Sequence, residues 1–103
     1  MSPEAAAALT PTALLRVPQH VVYRAFPAET VLLNLHTGQY HRVNRTGGRM
    51  LEAVEESGQI RAAAELLAVE YERSCEEIES DLVEFCGELA TRGLVVVDGE
   101  ADS

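Results

Sequence analysis

Apolar and polar residues follow a pattern along the first half of the chain that predicts β-strands. Residues 20–26, HVVYRAF, predict a first strand that Pro27 closes. Residues 30–35, TVLLNL, predict a second strand, and residues 39–43, QYHRV, predict its return partner. The linker HTG ends in Gly38, which matches a three-residue hairpin loop with glycine in the left-handed conformation. Three strands in this order predict an antiparallel meander, with the first and third strands at its edges.

The second half of the chain changes to a helical period. Asn44 can cap a first helix over about 45–56, and apolar residues recur at helical spacing over about 59–72. Ser74 opens a third helix that runs to about Arg92. We therefore predict an α+β fold that is winged-helix-like, with an N-terminal three-stranded antiparallel sheet followed by three helices.

Local signals mark the ends of these helices. Glu77 follows Ser74 by three residues and completes a capping box, and Gly93 followed by Leu94 matches a Schellman cap at the end of the third helix. Gly47 and Gly48 each weaken the first helix by about 1 kcal/mol relative to alanine. The pair therefore indicates close backbone packing at the start of that helix.

The chain has 103 residues, which is the size of one small domain. Residues 1–17 are Ala-rich and have no basic leading segment, which predicts a flexible N-terminal tail rather than a signal peptide. The folded domain is predicted over 18–97, with LVVV at 94–97 as a short strand or extended segment. Residues 98–103 are predicted to be a C-terminal tail.

The third helix carries more apolar surface than an ordinary surface helix. At 100° per residue its apolar positions span about 160°, against about 100° for a typical amphipathic helix. Ile78 and Leu82 lie on the core stripe, while Val83, Cys86 and Ala90 lie on the additional flank. Two interpretations stay open: the fold flanks this helix on two sides, or the extra flank forms the wall of a groove for an apolar ligand.

The net charge of −9 is unevenly distributed along the chain. The first fifty residues contain five arginines and two acids, whereas the remainder contains three arginines and fifteen acids. The acidic part either forms solvated helix faces or selects a basic or neutral partner.

The two cysteines, Cys75 and Cys86, fall eleven residues apart on one predicted helix. That spacing separates them by about 16 Å along the axis, which is too far for a disulfide or a shared metal within the helix. We expect free thiols in a reducing compartment.

No arrangement of residues indicates catalysis, a cofactor or a metal site. His20, His36 and His41 are the only histidines, and the residues around them do not form a metal-ligand pattern. The sequence also lacks GxSxG, HExxH, P-loop and GxGxxG motifs. We therefore predict that the protein is not an enzyme, has no cofactor and binds no metal. No apolar run approaches the roughly 20 residues of a membrane span, so a cytoplasmic protein without membrane contact is expected.

A winged helix that binds DNA is the rival interpretation of this element order. Its third helix would be the recognition helix, and that helix has Arg92 as its only cation. The helix is strongly acidic, and the negatively charged phosphates of DNA repel an acidic helix, which argues against a nucleic-acid partner. The acids in question are Glu76, Glu77, Glu79, Asp81, Glu84 and Glu88.

Three stretches resemble the PqqD-like family when they are taken together at their observed spacing. They are ETVLLNLHTGQYHRVNRTGGRMLEAV (29–54), ELLAVEYE (65–72) and EEIESDLVEFCGELATRGLV (76–95). The likeness lies in an apolar strand, a glycine turn with an aromatic, an Asn-x-Thr-Gly helix start and a last acidic helix ending in Arg-Gly-Leu. It covers roughly residues 18–96.

The resemblance implies a precursor-peptide recognition element that binds the leader of a ribosomally made, modified peptide. In that family the leader adds as a strand to the third strand, beside the third helix, so main-chain bonds supply affinity and side-chain pockets supply selectivity. Carried onto this sequence, the implied peptide-binding residues are Gln39, Tyr40, His41, Arg42 and Val43 on the strand and Glu79, Leu82, Val83, Cys86 and Ala90 on the helix.

The likeness to free-standing members favours a lasso-peptide system. The implied partners are the precursor leader peptide and a separate leader peptidase or other modifying enzyme. The alternative is a pyrroloquinoline quinone-type peptide chaperone for a radical enzyme, or, less favoured, the DNA-binding regulator.

Overall fold

A computed structural model describes residues 9–100 of the chain. Within that range the chain forms two small sheets and three helices, which are labelled here in chain order. Their bounds are β1 Ala13–Arg16, β2 Val21–Ala25, β3 Glu29–Asn34, β4 Tyr40–Asn44, α1 Arg45–Ser57, α2 Ile60–Tyr71, α3 Cys75–Thr91 and β5 Val96–Glu100.

The larger sheet has the predicted antiparallel order β2-β3-β4. Leu32 in the central strand lies opposite Tyr23 of β2 and His41 of β4. Thr30, Leu32 and their neighbour Asn34 are buried on one face of β3, as a half-covered sheet requires. Together with the three helices that follow, this confirms the predicted α+β class; "winged-helix-like" describes it only loosely.

A second sheet, which the sequence did not predict, joins β1 to β5 in antiparallel fashion. Arg16 lies opposite Val96, and the Arg16 Nε donates to Asp98 Oδ2 at 2.9 Å. Parts of both predicted tails, over 1–17 and 98–103, thus belong to strands; residues 1–8 and 101–103 lie outside the described range. Such short strands, about 80 residues apart in the chain, give no local signal of their pairing.

Two apolar clusters form the core. The first contains buried residues of β1 and all three helices, with Leu15 and Leu82 among them. The second lies between the larger sheet and the last turns of α3, where Leu32 meets Leu89 and Leu94. The segment before β1 also contributes, because Leu9 is buried in the first cluster.

The helix ends follow the predicted signals. Asn44 Oδ1 accepts from the Gly47 N–H at 2.7 Å, and Ser74 Oγ accepts from the Glu77 N–H at 3.2 Å. Gly93 adopts a φ of 74°, and the Leu94 N–H donates to Leu89 O at 2.9 Å, which completes the Schellman cap. Across residues 9–100, none of the helices has the length and apolar composition needed to cross a bilayer.

Candidate functional site

The outer edge of β4 has no strand paired to it within residues 9–100. The Asn34 N–H donates to Gln39 O at 3.0 Å, which fixes the hydrogen-bonding phase of the β3–β4 ladder. Backbone groups alternate in direction along an antiparallel strand, so those of His41 and Val43 point to β3. Those of Tyr40 and Arg42 therefore point outward, where they can pair with an added strand.

The side chains of β4 alternate between the two faces of the sheet, so the five strand residues predicted to bind peptide do not all face the same side. Val43 lies opposite Thr30, and His41 lies opposite Leu32, so both half-buried side chains face the helices. Tyr40 and Arg42 are exposed on the other face of the sheet, with Tyr40 at 68 % exposure. His41 and Arg42 thus cannot read the same side of an added strand.

The loop before β4 sets where the open edge begins. Gly38 has the predicted left-handed conformation, with φ of 76°, but the connection from Asn34 to Tyr40 is longer than three residues. Asn34 Oδ1 accepts from the N–H groups of His36 at 2.9 Å and Thr37 at 3.3 Å. This side-chain turn stabilises the loop and leaves Gln39 just before the strand.

A groove with a volume of about 570 Å³ opens beside the end of β4. It lies between that strand, the first turns of α1, the end of α2 and one face of α3. Its floor is apolar and its rim is charged. The lining residues are Val43, Asn44, Thr46, Gly47, Met50, Leu67, Tyr71, Arg73, Ile78, Asp81, Glu84, Phe85 and Glu88.

Close packing at Gly47 holds three walls of this groove together. A Cβ at Gly47 would lie 3.1 Å from Val43 Cβ and 3.3 Å from Phe85 Cε1. Strand β4, helix α1 and helix α3 therefore converge on this glycine, and a larger residue would push them apart. The predicted close packing at the glycine pair is confirmed here and again at Gly48, which lies against Thr30.

Charged residues at one end of the groove neutralise each other. Arg73 Nη1 lies 3.3 Å from Asp81 Oδ2, and its Nη2 lies 3.3 Å from Glu77 Oε2. The Ser74 hydroxyl and then Arg73 hold the pKa of Glu77 below its usual range. Glu84 and Glu88, by contrast, form no ion pair with any residue in the described part of the chain.

The α3 residues predicted as the groove wall lie on a different side of that helix. Leu82 and Cys86 are 0 % and 1 % exposed within the first core cluster, and Val83 packs against the same cluster. Glu79 pairs with Arg61 at 3.3 Å, and Ala90 packs against the second cluster. None of the five belongs to the groove lining.

The segment from Leu9 to Leu15 explains this difference. Leu9, Ala13 and Leu15 share a core cluster with Leu82 and Cys86, so the N-terminal segment covers the extra apolar flank of α3. Of the two interpretations of the wide apolar arc, the structure supports the one in which the fold flanks the helix twice. Burial also raises the pKa of the Cys86 thiol to about 12, so this cysteine is held neutral.

Several lining residues were missed because their sequence signals had simpler explanations. Ile78 and Phe85 belong to the core stripe of α3, and only the structure shows that Phe85 is partly exposed to the groove. The acids Asp81, Glu84 and Glu88 occupy the helix side interpreted as solvated. The acidic side of α3 next to Phe85 is the one sequence signal that could have indicated these lining residues.

The histidines form no chelating group. The His20 and His36 rings stack with centroids 4.0 Å apart and an interplanar angle of 6°. Across residues 9–100 no group of three or more His, Cys, Asp or Glu side chains could hold a metal ion. The described residues of the site offer backbone pairing, apolar contact and surface charge.

A family model and three solved structures are similar to this chain. The family model described as coenzyme PQQ synthesis protein D (PqqD) matches residues 29–95, from the start of β3 to just beyond α3. A search of curated proteins finds no match.

Three solved structures are similar to the chain. TbiB1 in complex with the TbiA(beta) leader peptide is 30 % identical, with a TM-score of 0.70, and the match covers 84 % of this chain and 99 % of that chain. Lasso peptide synthetase B1 complexed with the leader peptide is 21 % identical, with a TM-score of 0.71, covering 82 % and 99 % respectively.

The third structure is the solution NMR structure of the PqqD truncation of Methylobacterium extorquens PqqCD. It is described as a functional, stand-alone recognition element for ribosomally synthesised and post-translationally modified peptides. It is 21 % identical, with a TM-score of 0.75, covering 93 % of this chain and 99 % of that chain. At 21 % identity, the second and third structures support the fold alone.

Proposed function

The chain belongs to the PqqD family, and we propose that it is a recognition element that binds the leader region of a ribosomally synthesised precursor peptide. TbiB1, which is 30 % identical in a match that covers 84 % of this chain, is in complex with the TbiA(beta) leader peptide in its structure. The proposed role is binding and presentation, for which the groove and strand edge suffice without a catalytic group.

The open edge of β4 beside the groove is the observation that carries this proposal. An extended peptide laid along that edge would take the outward backbone groups of Tyr40 and Arg42 as its hydrogen-bonding partners. Alternate side chains of the peptide would then face the apolar floor near Val43 and Phe85. Main-chain pairing gives affinity for any extended peptide, and the floor gives selectivity.

The strand residues from Gln39 to Val43 keep a place in the proposed site, with distinct roles. Tyr40 and Arg42 supply backbone groups, Val43 supplies floor surface, and His41 and Gln39 hold the strand in register on β3. On α3 we propose the groove-lining side of the helix, around Phe85, in place of the buried flank around Cys86.

We propose a lasso-peptide system, with a separate leader peptidase or modifying enzyme as the protein that receives the bound precursor. TbiB1 and lasso peptide synthetase B1 are both in complex with a leader peptide, and the higher identity to TbiB1, 30 % against 21 % for the PqqD truncation, favours this branch. The quinone branch remains the second candidate, because a stand-alone PqqD recognition element has the same fold.

Arg42 provides a direct test, because its N–H points away from β3. Proline at this position removes one outward donor and no bond of the β3–β4 ladder, which edge strands tolerate. The probe would be a fluorescein-labelled leader peptide from any short precursor encoded next to this gene or, where none is encoded there, the TbiA(beta) leader peptide. It would be titrated with the wild type, Arg42→Pro and Arg42→Ala. We expect Arg42→Pro to raise the Kd about tenfold or more, since loss of one backbone pair in a desolvated strand leaves its partner unpaired.

Arg42→Ala is the matched control, because it removes the same side chain and keeps the N–H. Circular dichroism would establish that both variants stay folded. Equal loss in both variants would assign binding to the Arg42 side chain and contradict strand addition. No binding of the leader by the wild type would contradict the function itself.

A further inference from the structure

The charges around the groove are not balanced, and this imbalance bears on which peptides fit. We infer that the groove selects an extended segment that carries lysine or arginine among the side chains facing α3, next to a large apolar side chain. This inference rests on the proposed function and specifies the class of peptide that the site takes.

The floor of the groove determines the preference for a large apolar side chain in the bound peptide. Leu67 and Ile78 are buried at its base, while Val43, Met50 and Phe85 are half-buried and present their outer surface to the opening. Contact between these apolar side chains and a polar residue contributes little binding free energy. Each Å² of apolar surface removed from water contributes about 25 cal/mol. A large aliphatic or aromatic side chain is therefore the natural occupant of the floor.

The charged residues at the rim of the groove determine which charge the bound peptide should carry. Several ionised side chains of the helices are already matched: Arg49 pairs with Glu52 and Glu70, and Arg61 pairs with Glu79. The one cation in the groove lining, Arg73, is likewise paired. Some acidic side chains at the rim of the groove therefore form no ion pair with the described residues.

Those acids are Glu84 and Glu88, which are exposed and lie one helical turn apart. Neither is in an ion pair with the described residues. Two like charges one turn apart on a helix destabilise it slightly, and a cation placed between or beside them removes that repulsion. A basic ligand side chain therefore gains an attraction here that no ion pair among the described residues already satisfies; Arg92, one turn beyond Glu88, forms no such pair.

The spacing of the two acids suits an added strand. Four residues of helix rise about 6 Å, so Glu84 and Glu88 are that far apart along α3. Successive side chains on one face of an extended peptide are about 6.6 Å apart. In a peptide that runs alongside α3, basic residues at positions i and i+2 can thus each approach one acid, and a single basic residue can approach either.

A second copy of this chain is a poor occupant of the same edge. Two β4 edges paired around a two-fold axis would bring two acidic rims together, since both helices α3 would lie on one side of the joined sheet. Like charges placed opposite each other weaken association. A basic peptide avoids this repulsion.

Selection from a random peptide library is the test, because it assumes no leader sequence. An mRNA-displayed library of extended 15-residue peptides would be selected on the full chain and on Glu84→Gln/Glu88→Gln. The matched control is Glu56→Gln/Glu65→Gln, which removes two exposed acids that lie outside the groove and outside the described ion pairs. Thermal denaturation would establish that all three proteins are folded.

We expect peptides selected on the wild type and on the control to be enriched in lysine and arginine two residues apart, next to a large apolar residue. The enrichment should disappear on Glu84→Gln/Glu88→Gln. For one selected peptide, the double change should raise the Kd about three- to twentyfold, in line with two exposed ion pairs. Raising the NaCl concentration should weaken wild-type binding more than that of the double variant.

The outcomes separate this inference from the function on which it rests. Binders without basic enrichment, or binders that Glu84→Gln/Glu88→Gln retains at full affinity, would overturn the charge preference and leave peptide binding intact. A library that yields no binder to the folded wild type would contradict peptide recognition, and the preference with it.

Discussion

Gly48 of α1 lies directly against Thr30 of β3. A Cβ placed on Gly48 would come within 2.8 Å of Thr30 Cβ, and closer still to the Thr30 hydroxyl oxygen. Real Cβ atoms do not approach so closely, so only glycine lets α1 lie at this distance from the sheet. Because α1 begins at the end of β4, the contact also fixes the position of the groove beside the strand.

Gly48→Ala is therefore expected to destabilise the fold by about 1–3 kcal/mol, since a displaced helix outweighs the gain in helix propensity. Urea denaturation followed by circular dichroism measures the change. Gly87→Ala is the control: its Cβ would meet only Leu9 Cδ2 at 4.0 Å, so the same substitution should stabilise α3 by about 0.5–1 kcal/mol. Equal effects of the two changes would contradict a steric role for Gly48.

Leu15 provides a second prediction, which concerns the N-terminal segment. It is 4 % exposed within the core cluster that also contains Leu82 and Cys86 of α3, whereas its neighbour Leu14 is 37 % exposed. Leu15→Ala should cost about 2–5 kcal/mol of unfolding free energy, because it removes buried apolar surface and leaves a cavity.

Leu14→Ala deletes the same atoms from the opposite side of β1 and should cost less than about 1 kcal/mol. Chemical denaturation of both variants makes the comparison. If Leu15→Ala were as mild as Leu14→Ala, residues 9–17 would behave as the flexible tail that the sequence pattern predicts. A large difference between the two would extend the folded domain to include β1.

Local chemistry explains which parts of this fold can be predicted from the sequence. Asn44, Ser74 and Gly93 each act within four residues of their own position, so the helix ends and the strand meander follow from the sequence. The pairing of Arg16 with Val96 depends on contacts about 80 residues apart and leaves no local trace.

The same limit applies to the candidate site. The open edge at Tyr40 and Arg42 follows from strand order alone, and the sequence predicts it. Which flank of α3 faces the groove depends on where Leu9 packs, because it lies against α3 at Gly87 and leaves the other side of the helix open. Helical periodicity gives the width of the apolar arc but not which element covers each part of it.

The two cysteines should differ in reactivity. Cys86 is 1 % exposed and burial raises its pKa to about 12, so few thiolates form and reagents cannot reach them. Cys75 is only partly buried at the start of α3. Under native conditions at pH 8, iodoacetamide should label Cys75 at least about tenfold faster than Cys86, as measured by peptide mass spectrometry.

In denaturant the two rates should converge, which controls for intrinsic reactivity. Fast native labelling of Cys86 would mean that it is accessible, as expected if it lined a groove. It would also contradict the packing of the N-terminal segment on α3.

Glu70 predicts a loss of stability in acid. Arg49 donates to both of its carboxylate oxygens, with Nε–Oε2 at 2.9 Å and Nη2–Oε1 at 2.8 Å, and this holds the pKa of Glu70 below its ordinary value of 4.5. A depressed folded-state pKa stabilises the protein above the ordinary value, and that stability is lost as the pH falls through the folded-state pKa. Both partners are partly exposed, so the contribution is about 0.2–1 kcal/mol.

Glu70→Gln should therefore lower stability near pH 7 by this amount, and the difference from the wild type should shrink as the pH falls below 4.5 and through the lower folded-state pKa of Glu70. Urea titrations at several pH values measure it. Glu65→Gln, on the same helix and outside the described ion pairs, controls for the loss of one carboxylate. A wild-type advantage that stayed constant while the pH was lowered well below 4.5 would exclude the ion pair as its cause.

Amide exchange on β4 tests the geometry of strand addition without any substitution. The N–H groups of His41 and Val43 donate within the sheet, whereas those of Tyr40 and Arg42 point to the open edge. In the free protein, Tyr40 and Arg42 should exchange quickly with solvent deuterium. With leader peptide present at about ten times its Kd, their exchange should slow about tenfold, because only the unbound fraction stays open.

The opposite edge of the sheet is an internal control, because the β2–β3 ladder leaves the amides of Tyr23 and Ala25 pointing away from β3. An added strand on β4 leaves them open, so their exchange in NMR spectra should not change when the leader binds. Slowing at Tyr23 and Ala25 with none at Tyr40 and Arg42 would move the binding edge from β4 to β2. Uniform slowing across the sheet would indicate global stabilisation by a ligand bound elsewhere, since strand pairing protects only the amides on the edge that it covers.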